Sequence, residues 1–249
     1  MHLLKILEET GRVIAKNVSQ DLMLSEDTIR RDLRELAKEG YLKRVHGGAV
    51  PVALANASFR HRIDIVSPEK NEIGRRAALM IEPGQVVFVD GGTTALQLAR
   101  QIPQHIEATI ITHSPNVALE LLNHEKLEVE IVGGRLYRHS IVTCGATTIA
   151  WLDRFRPDVC FIGASGIHAD AGITTGNSEE AEVKRAVIAR SGAAVLLASS
   201  EKLGAVSSFE LARWSDIDGM VVSTAELEIA SEMFARCRCE IYALNEKRP

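Results

Sequence analysis

Three arginines, Arg30, Arg31 and Arg34, fall within five positions of the stretch SEDTIRRDLREL, residues 25–36. A guanidinium presents a planar fork of donors that fits phosphate oxygens or a guanine edge, so this spacing on one surface is chemistry for a polyanion. A second group gathers at the turn Asp90-Gly91-Gly92-Thr93-Thr94. Glycines let a backbone approach a phosphate, threonine hydroxyls add donors, and a helix start supplies free N–H groups. No lysine follows these glycines, so the turn is not a nucleotide-binding P-loop, and taken alone it also fits an ordinary tight turn.

Local charge agrees with the first group. Between positions 30 and 46, six basic residues (Arg30, Arg31, Arg34, Lys38, Lys43, Arg44) face three acidic ones, a net +3 that leaves -7 elsewhere in a chain of net charge -4. A basic island on an acidic protein is either a solvated helix face or a dedicated polyanion contact.

The elements that must position these arginines follow from periodicity. Leu3, Leu4, Ile6 and Leu7 suit a short first helix closed near Gly11, and Ile14, Val18 and Leu22 predict a second with one apolar stripe. Ser25 is a good N-cap for a third helix, with Glu26 and Asp27 in the first turn, where the helix dipole favours acids. Ile29, Leu33 and Leu36 then face a core, Arg30, Arg31, Arg34 and Lys38 face away, and Gly40 ends the helix. Two helices joined by a short turn make a helix-turn-helix, whose second helix presents its early residues to base edges. Thr28, Arg30 and Arg31 are therefore expected to read bases, with Ser25 among the DNA-binding residues at the helix start and Arg34 and Lys38 nearer phosphates. In YLKRVHGGAV, two short strands around a glycine turn predict a wing carrying Lys43, Arg44 and His46, the last either a backbone contact or a plain turn residue.

Residues 53–66 lack periodicity and read as a linker. Ser67 and Pro68 then open a helix with Ile73, Ala77 and Ile81 on its buried face. Beyond it, apolar runs alternate with helical patterns: VVFV (86–89), ATII (108–111), VEIV (129–132), VCFIG (159–163), AAVLLA (193–198), GMVV (219–222) and EIYAL (240–244). Such alternation predicts a parallel sheet covered on both faces, with ligands outside the carboxyl ends of its strands. The residues there are small, hydroxylated or charged: Asp90 to Thr94, His113 and Ser114, Gly133 and Gly134, Ser165, then Gly172, Thr174 and Thr175 in the GITTG loop, and Lys202. Together they outline a pocket for a phosphorylated polyhydroxy compound, with Lys202 as the phosphate cation. Glu180 and Lys184, four apart, are either a surface helical ion pair or part of that pocket.

The 249 residues, 46% hydrophobic, suffice for one large and one small domain. No apolar run reaches the ~20 residues that span a bilayer, and no signal-peptide core opens the chain, so a cytoplasmic protein with reduced thiols is expected. Cys144, Cys160, Cys237 and Cys239 form no metal-binding spacing; the last two read as packing or, less simply, a metal pair. No cofactor or metal is expected.

The stretch SEDTIRRDLRELAKEGYLKRVHGGAV resembles the signature of DeoR-family bacterial transcriptional regulators. That resemblance implies a winged helix-turn-helix and repression of sugar-catabolism operons. The stretches VFVDGGTT, ITHSPNVA, IVGGRL, FIGASGI, GITTGNSEEAEVKRAVI and SSEKLG are similar to the family's sensor domain. They imply the fold of ribose-5-phosphate isomerase and glucosamine-6-phosphate deaminase, with Asp90, Gly92, Thr93, Thr94 and Lys202 in the effector site. His113 replaces the family's usual asparagine, Ser199 its aspartate, and Ile14 a common helix-capping serine. The expectation is thus an α/β protein: a winged helix-turn-helix (1–52), a linker (53–66) and a larger, mainly parallel α/β sensor domain (67–249). It regulates transcription as a homodimer or homotetramer on double-stranded operator DNA, under control of a sugar or polyol phosphate. The competing reading is a sugar-phosphate isomerase or deaminase with a DNA-binding appendage, for which Asp90, His113 or Glu180 would have to serve as acid or base.

Overall fold

A computed structural model describes residues 3, 4, 6, 13–38, 41–45, 47–51, 59, 68–237 and 239–244, in two compact units, Met1–Arg62 and Ile63–Pro249. Leu7, Gly11, Gly40, His46, Ser67 and all of the expected linker except Phe59, which is helical and buried, lie outside the described residues.

The first unit runs β1 (Val13–Ile14), α1 (Ala15–Asp21), α2 (Glu26–Lys38), β2 (Leu42–Val45) and β3 (Gly48–Pro51). Its antiparallel sheet has the order β1-β3-β2. Val13, Ala15 and Val18 pack with Ile29 and Leu33 of α2 and with Leu42 and Ala49 of the sheet. The predicted stripe of the second helix needs correction at its start. Ile14 belongs to β1, has extended backbone at the N-cap without a side-chain cap bond, and is exposed. A β-branched residue pairing with Gly48 leaves the helix to begin at Ala15. Close approach explains the second wing glycine: a Cβ on Gly48 would lie 1.8 Å from the Val13 carbonyl oxygen. Between the helices, Met23 takes a left-handed conformation (φ 51°) with its side chain 93% exposed.

The second unit opens with α3 (Pro68–Ala78) and alternates through β4 (Val86–Val89), α4 (Thr93–Arg100), β5 (Ala108–Thr112), α5 (Pro115–Glu120) and β6 (Leu127–Ile131). The hairpin β7 (Arg135–Tyr137) and β8 (Val142–Cys144) follows, then α6 (Ala146–Leu152), β9 (Val159–Gly163), β10 (Gly166–His168), β11 (Gly172–Thr175) and α7 (Ser178–Ile188). The chain continues through β12 (Ala193–Leu197), β13 (Phe209–Ala212), β14 (Gly219–Val221), α8 (Leu227–Met233) and β15 (Glu240–Tyr242). Seven strands form a parallel sheet, β15-β14-β12-β9-β4-β5-β6. Side chains alternate across it, so Phe88 joins one apolar layer and Val87 and Val89 the other.

Two expectations for the sheet change. The run predicted at 129–132 is the edge strand β6, shifted to Leu127–Ile131 and exposed from Glu128 to Ile131, so it is not covered on both faces. The GITTG segment is not a loop: its Gly172–Thr175 form β11, hydrogen-bonded between β10 and β13. Among the described residues no helix is long and apolar enough to cross a membrane.

Candidate functional site

In the first unit the local sequence builds a capped, one-sided helix. The Ser25 hydroxyl accepts from the Thr28 N–H (3.1 Å) and lies 2.8 Å from the Thr28 hydroxyl, so both residues anchor the start of α2. Arg30 reaches back to Glu26 at 2.7 Å, while Arg31 lies 3.9 Å from Asp32 and is 67% exposed. Arg34, Lys38 and, on β2, Arg44 are exposed too. Lys43 lies on the same strand. Surface pairs of this kind hold their partners weakly, so the guanidiniums remain available to an outside anion.

In the second unit the carboxyl ends of parallel strands converge, and the side chains there are buried and bonded to one another. Asp90, just past β4, has Oδ1 2.8 Å from His113 Nε2 and Oδ2 3.0 Å from Lys184 Nζ. The Gly163 N–H at the end of β9 also donates to Oδ2, at 2.7 Å. Lys184 donates to the Gly163 carbonyl at 2.8 Å and pairs with Glu180 Oε1 at 3.0 Å. His113 Nδ1 lies 3.0 Å from the Thr143 carbonyl, so both ring nitrogens face acceptors. The remaining Glu180 oxygen accepts from the Ser140 hydroxyl at 3.2 Å.

Electrostatics follow from this closed set. Burial alone would raise the Asp90 carboxyl, but the Lys184 charge and the His113 bond hold it well below the usual carboxylate range. Burial alone would lower the Lys184 ammonium, yet Asp90 and Glu180 carry it above the usual lysine range. Cys144 is pushed up to about 12 by burial and by the Glu180 charge, an inert thiol. An ionised Asp90 with both oxygens occupied is not placed to act as a general base.

The other predicted residues divide. Gly91 is a close-approach position, where a Cβ would sit 2.1 Å from Val142 Cγ1. Gly92 (φ 114°) leads into α4, whose first turn holds the buried Thr93 and Thr94. Ser114 caps α5 by accepting from the Val117 N–H, and the Thr148 hydroxyl holds the turn at Gly133 and Gly134 by donating to the Gly133 carbonyl. Lys202, at a 3-10 turn one strand over, is buried and donates to the Leu197 carbonyl at 3.3 Å. Gly172, Thr174 and Thr175 instead serve the small antiparallel sheet. The Thr174 hydroxyl donates to Gly166 and accepts from the Ser207 N–H, and the Ser165 N–H donates to the Thr174 carbonyl. Glu180 and Lys184 are no surface pair: both are buried at the centre. Ser140 and Thr143 escaped the sequence reading, because three-residue strands show no period to place them.

Comparison with known proteins gives these features a family. Residues 1–53 match the model of the DeoR-like helix-turn-helix domain, and residues 66–224 that of the DeoR C terminal sensor domain. The chain is 36% identical to the HTH-type transcriptional regulator GlpR of Haloferax volcanii over 215 residues, covering 86% of this chain and 84% of that protein. It is 30% identical to the glycerol-3-phosphate regulon repressor of Escherichia coli over 219 residues, covering 88% and 87%. Among solved structures, it is similar to ribose 5-phosphate isomerase A of Methanocaldococcus jannaschii, with TM-score 0.40, 18% identity and 54% and 53% of the two chains covered.

Proposed function

Because the chain belongs to the DeoR family of helix-turn-helix transcriptional regulators, we propose that it represses a sugar or polyol catabolism operon and is controlled by a phosphorylated sugar or polyol. The observation that carries this reading is the juxtaposition within one chain of a capped helix with an exposed arginine face and a sensor with a polar centre at its strand ends. The name of the Escherichia coli relative supports a phosphate ester as effector class. The regulators among its relatives argue against the isomerase alternative.

In this reading α2 enters the major groove. Arg30 and Arg31 read base edges, Ser25 and Thr28 fix the helix start, and Arg34, Lys38, Lys43, Arg44 and His46 lie near phosphates. The N-terminal turn of α4, with Gly91, Gly92, Thr93 and Thr94, takes the effector together with Lys202. Asp90, His113, Glu180 and Lys184 shape the floor beneath it. Two half-sites on the operator call for a homodimer or a larger even assembly, working in the cytoplasm.

The test is a titration of labelled DNA from upstream of the chain's own gene, at fixed salt, with and without glycerol 3-phosphate or hexose phosphates. We expect preference for that DNA over random sequence and a shift of about 5–150-fold with one of these esters. Equal binding to both DNAs, unmoved by every ester, overturns the reading.

A further inference from the structure

We propose that Glu180 Oε2 is the hydroxyl-recognition point of the sensor, and that the β7–β8 hairpin is a latch which a ligand hydroxyl releases by displacing Ser140. This deepens the effector reading above and rests on it.

Consider which bond in the buried cluster an incoming polyol can replace. Asp90 Oδ1 is held by His113, Oδ2 by Lys184 and by the Gly163 N–H, and Glu180 Oε1 by Lys184. Each of those bonds joins charged groups or backbone, and replacing one strands a buried partner. Glu180 Oε2 differs: it accepts from the neutral Ser140 hydroxyl, at 3.2 Å the longest contact of the set. A polyol hydroxyl is the same chemical group, so it takes over that carboxylate oxygen with little net cost in hydrogen bonding.

The hairpin is built to respond. β7 and β8 form a two-stranded sheet of their own, outside the seven-stranded one. Directly after Ser140, Ile141 is held at φ 53°, left-handed backbone that a β-branched side chain rarely adopts. Strain of this kind persists only where surroundings impose it. Three contacts impose it here: Ser140 is tied to Glu180, Val142 sits over Gly91, and the Thr143 N–H donates to the His113 carbonyl at 2.8 Å. Arg135, at the other end, pairs with Glu179, next to Glu180. Removing the Ser140 bond therefore removes one of the restraints that hold Ile141 strained, and the turn relaxes. Recognition of a hydroxyl and movement of a segment become one event, the coupling a sensor requires.

Two variants of the full-length chain predict opposite signs. Ser140→Ala removes the internal competitor, so glycerol 3-phosphate measured by calorimetry should bind about five-fold tighter, while inorganic phosphate, which lacks a carbon-borne hydroxyl, should be unchanged. Ile141→Gly relaxes the turn with the latch closed, so glycerol 3-phosphate should bind more weakly. Amide hydrogen exchange gives a readout that needs no ligand: residues 137–143 should exchange faster in Ser140→Ala and more slowly in Ile141→Gly. Weaker binding of glycerol 3-phosphate by Ser140→Ala would make Ser140 a direct ligand and overturn the latch. Unchanged exchange in both variants would overturn it as well. A wild-type chain indifferent to glycerol 3-phosphate and hexose phosphates counts against the effector reading instead, and the exchange measurement still decides the latch.

Discussion

The two units use charge in opposite ways. On α2, Arg31 and Arg34 are exposed, and their acidic neighbours are loosely placed or distant. At the strand ends of the central sheet, Lys184 is 4% exposed and Asp90 fully buried, and the side-chain polar groups of Asp90, His113, Glu180 and Lys184 are bonded to one another or to neighbouring backbone and hydroxyl groups. The first arrangement leaves the fold indifferent to its cations and keeps them available to something outside. The second makes the cations part of the fold and available only by exchange. A reader of a polyanion and a sensor of a small polar molecule thus differ less in residue type than in where the counter-charge sits.

The sharpest way to break that contrast is Lys184→Met. It leaves Asp90 and Glu180 buried without their cation, and should destabilise the second unit by about 3–5 kcal/mol in urea unfolding. A loss under about 1 kcal/mol would mean the centre tolerates bare carboxylates and the contrast fails. Acid should act on the same unit. The Asp90 carboxyl is depressed in the folded state, so its contribution is present above the ordinary carboxylate range and lost as pH falls through that range, from about 4 downward. Unfolding midpoints measured from neutral pH to about 3 check this; a flat profile refutes it. On the reader side, Arg31→Ala should leave thermal stability within about 0.5 kcal/mol and weaken operator binding by about 1–3 kcal/mol. Weakening confined to the operator marks a base contact, whereas equal weakening on random DNA marks a phosphate contact. The smallest effect concerns the turn before α2. Met23→Gly relieves a left-handed non-glycine residue whose exposed side chain packs against little, and should gain up to about 1 kcal/mol in the first unit, read by thermal melting.

What was legible in the sequence follows the physics of each element. VVFV at 86–89 and the Ser25 cap were readable because a continuous apolar run and an N-cap residue act locally. Ile14 misled because its spacing to Val18 suits a helix, while pairing with Gly48 across the wing is nonlocal. The spacing of Glu180 and Lys184 announced a pair but not its burial, which depends on Asp90, ninety residues earlier by position and adjacent in space. Ser140 was silent altogether: its role comes from a turn between two three-residue strands and from backbone strain at Ile141, neither of which leaves a pattern in residue types. The family resemblance rested on the readable parts, and the domain models match the same two regions.

The bare margin of the large sheet has a consequence for life at high concentration. Among the described residues β6 pairs on one side only, with β5, and leaves Val129 and Ile131 in solvent, the kind of border along which sheets fuse into ribbons. Glu128 and Glu130 interrupt it. In an antiparallel meeting of two copies centred on Val129, each Glu128 would confront a Glu130, so fusion brings like charges face to face. Two acids placed among three aliphatic residues therefore set charge repulsion against stacking along this border.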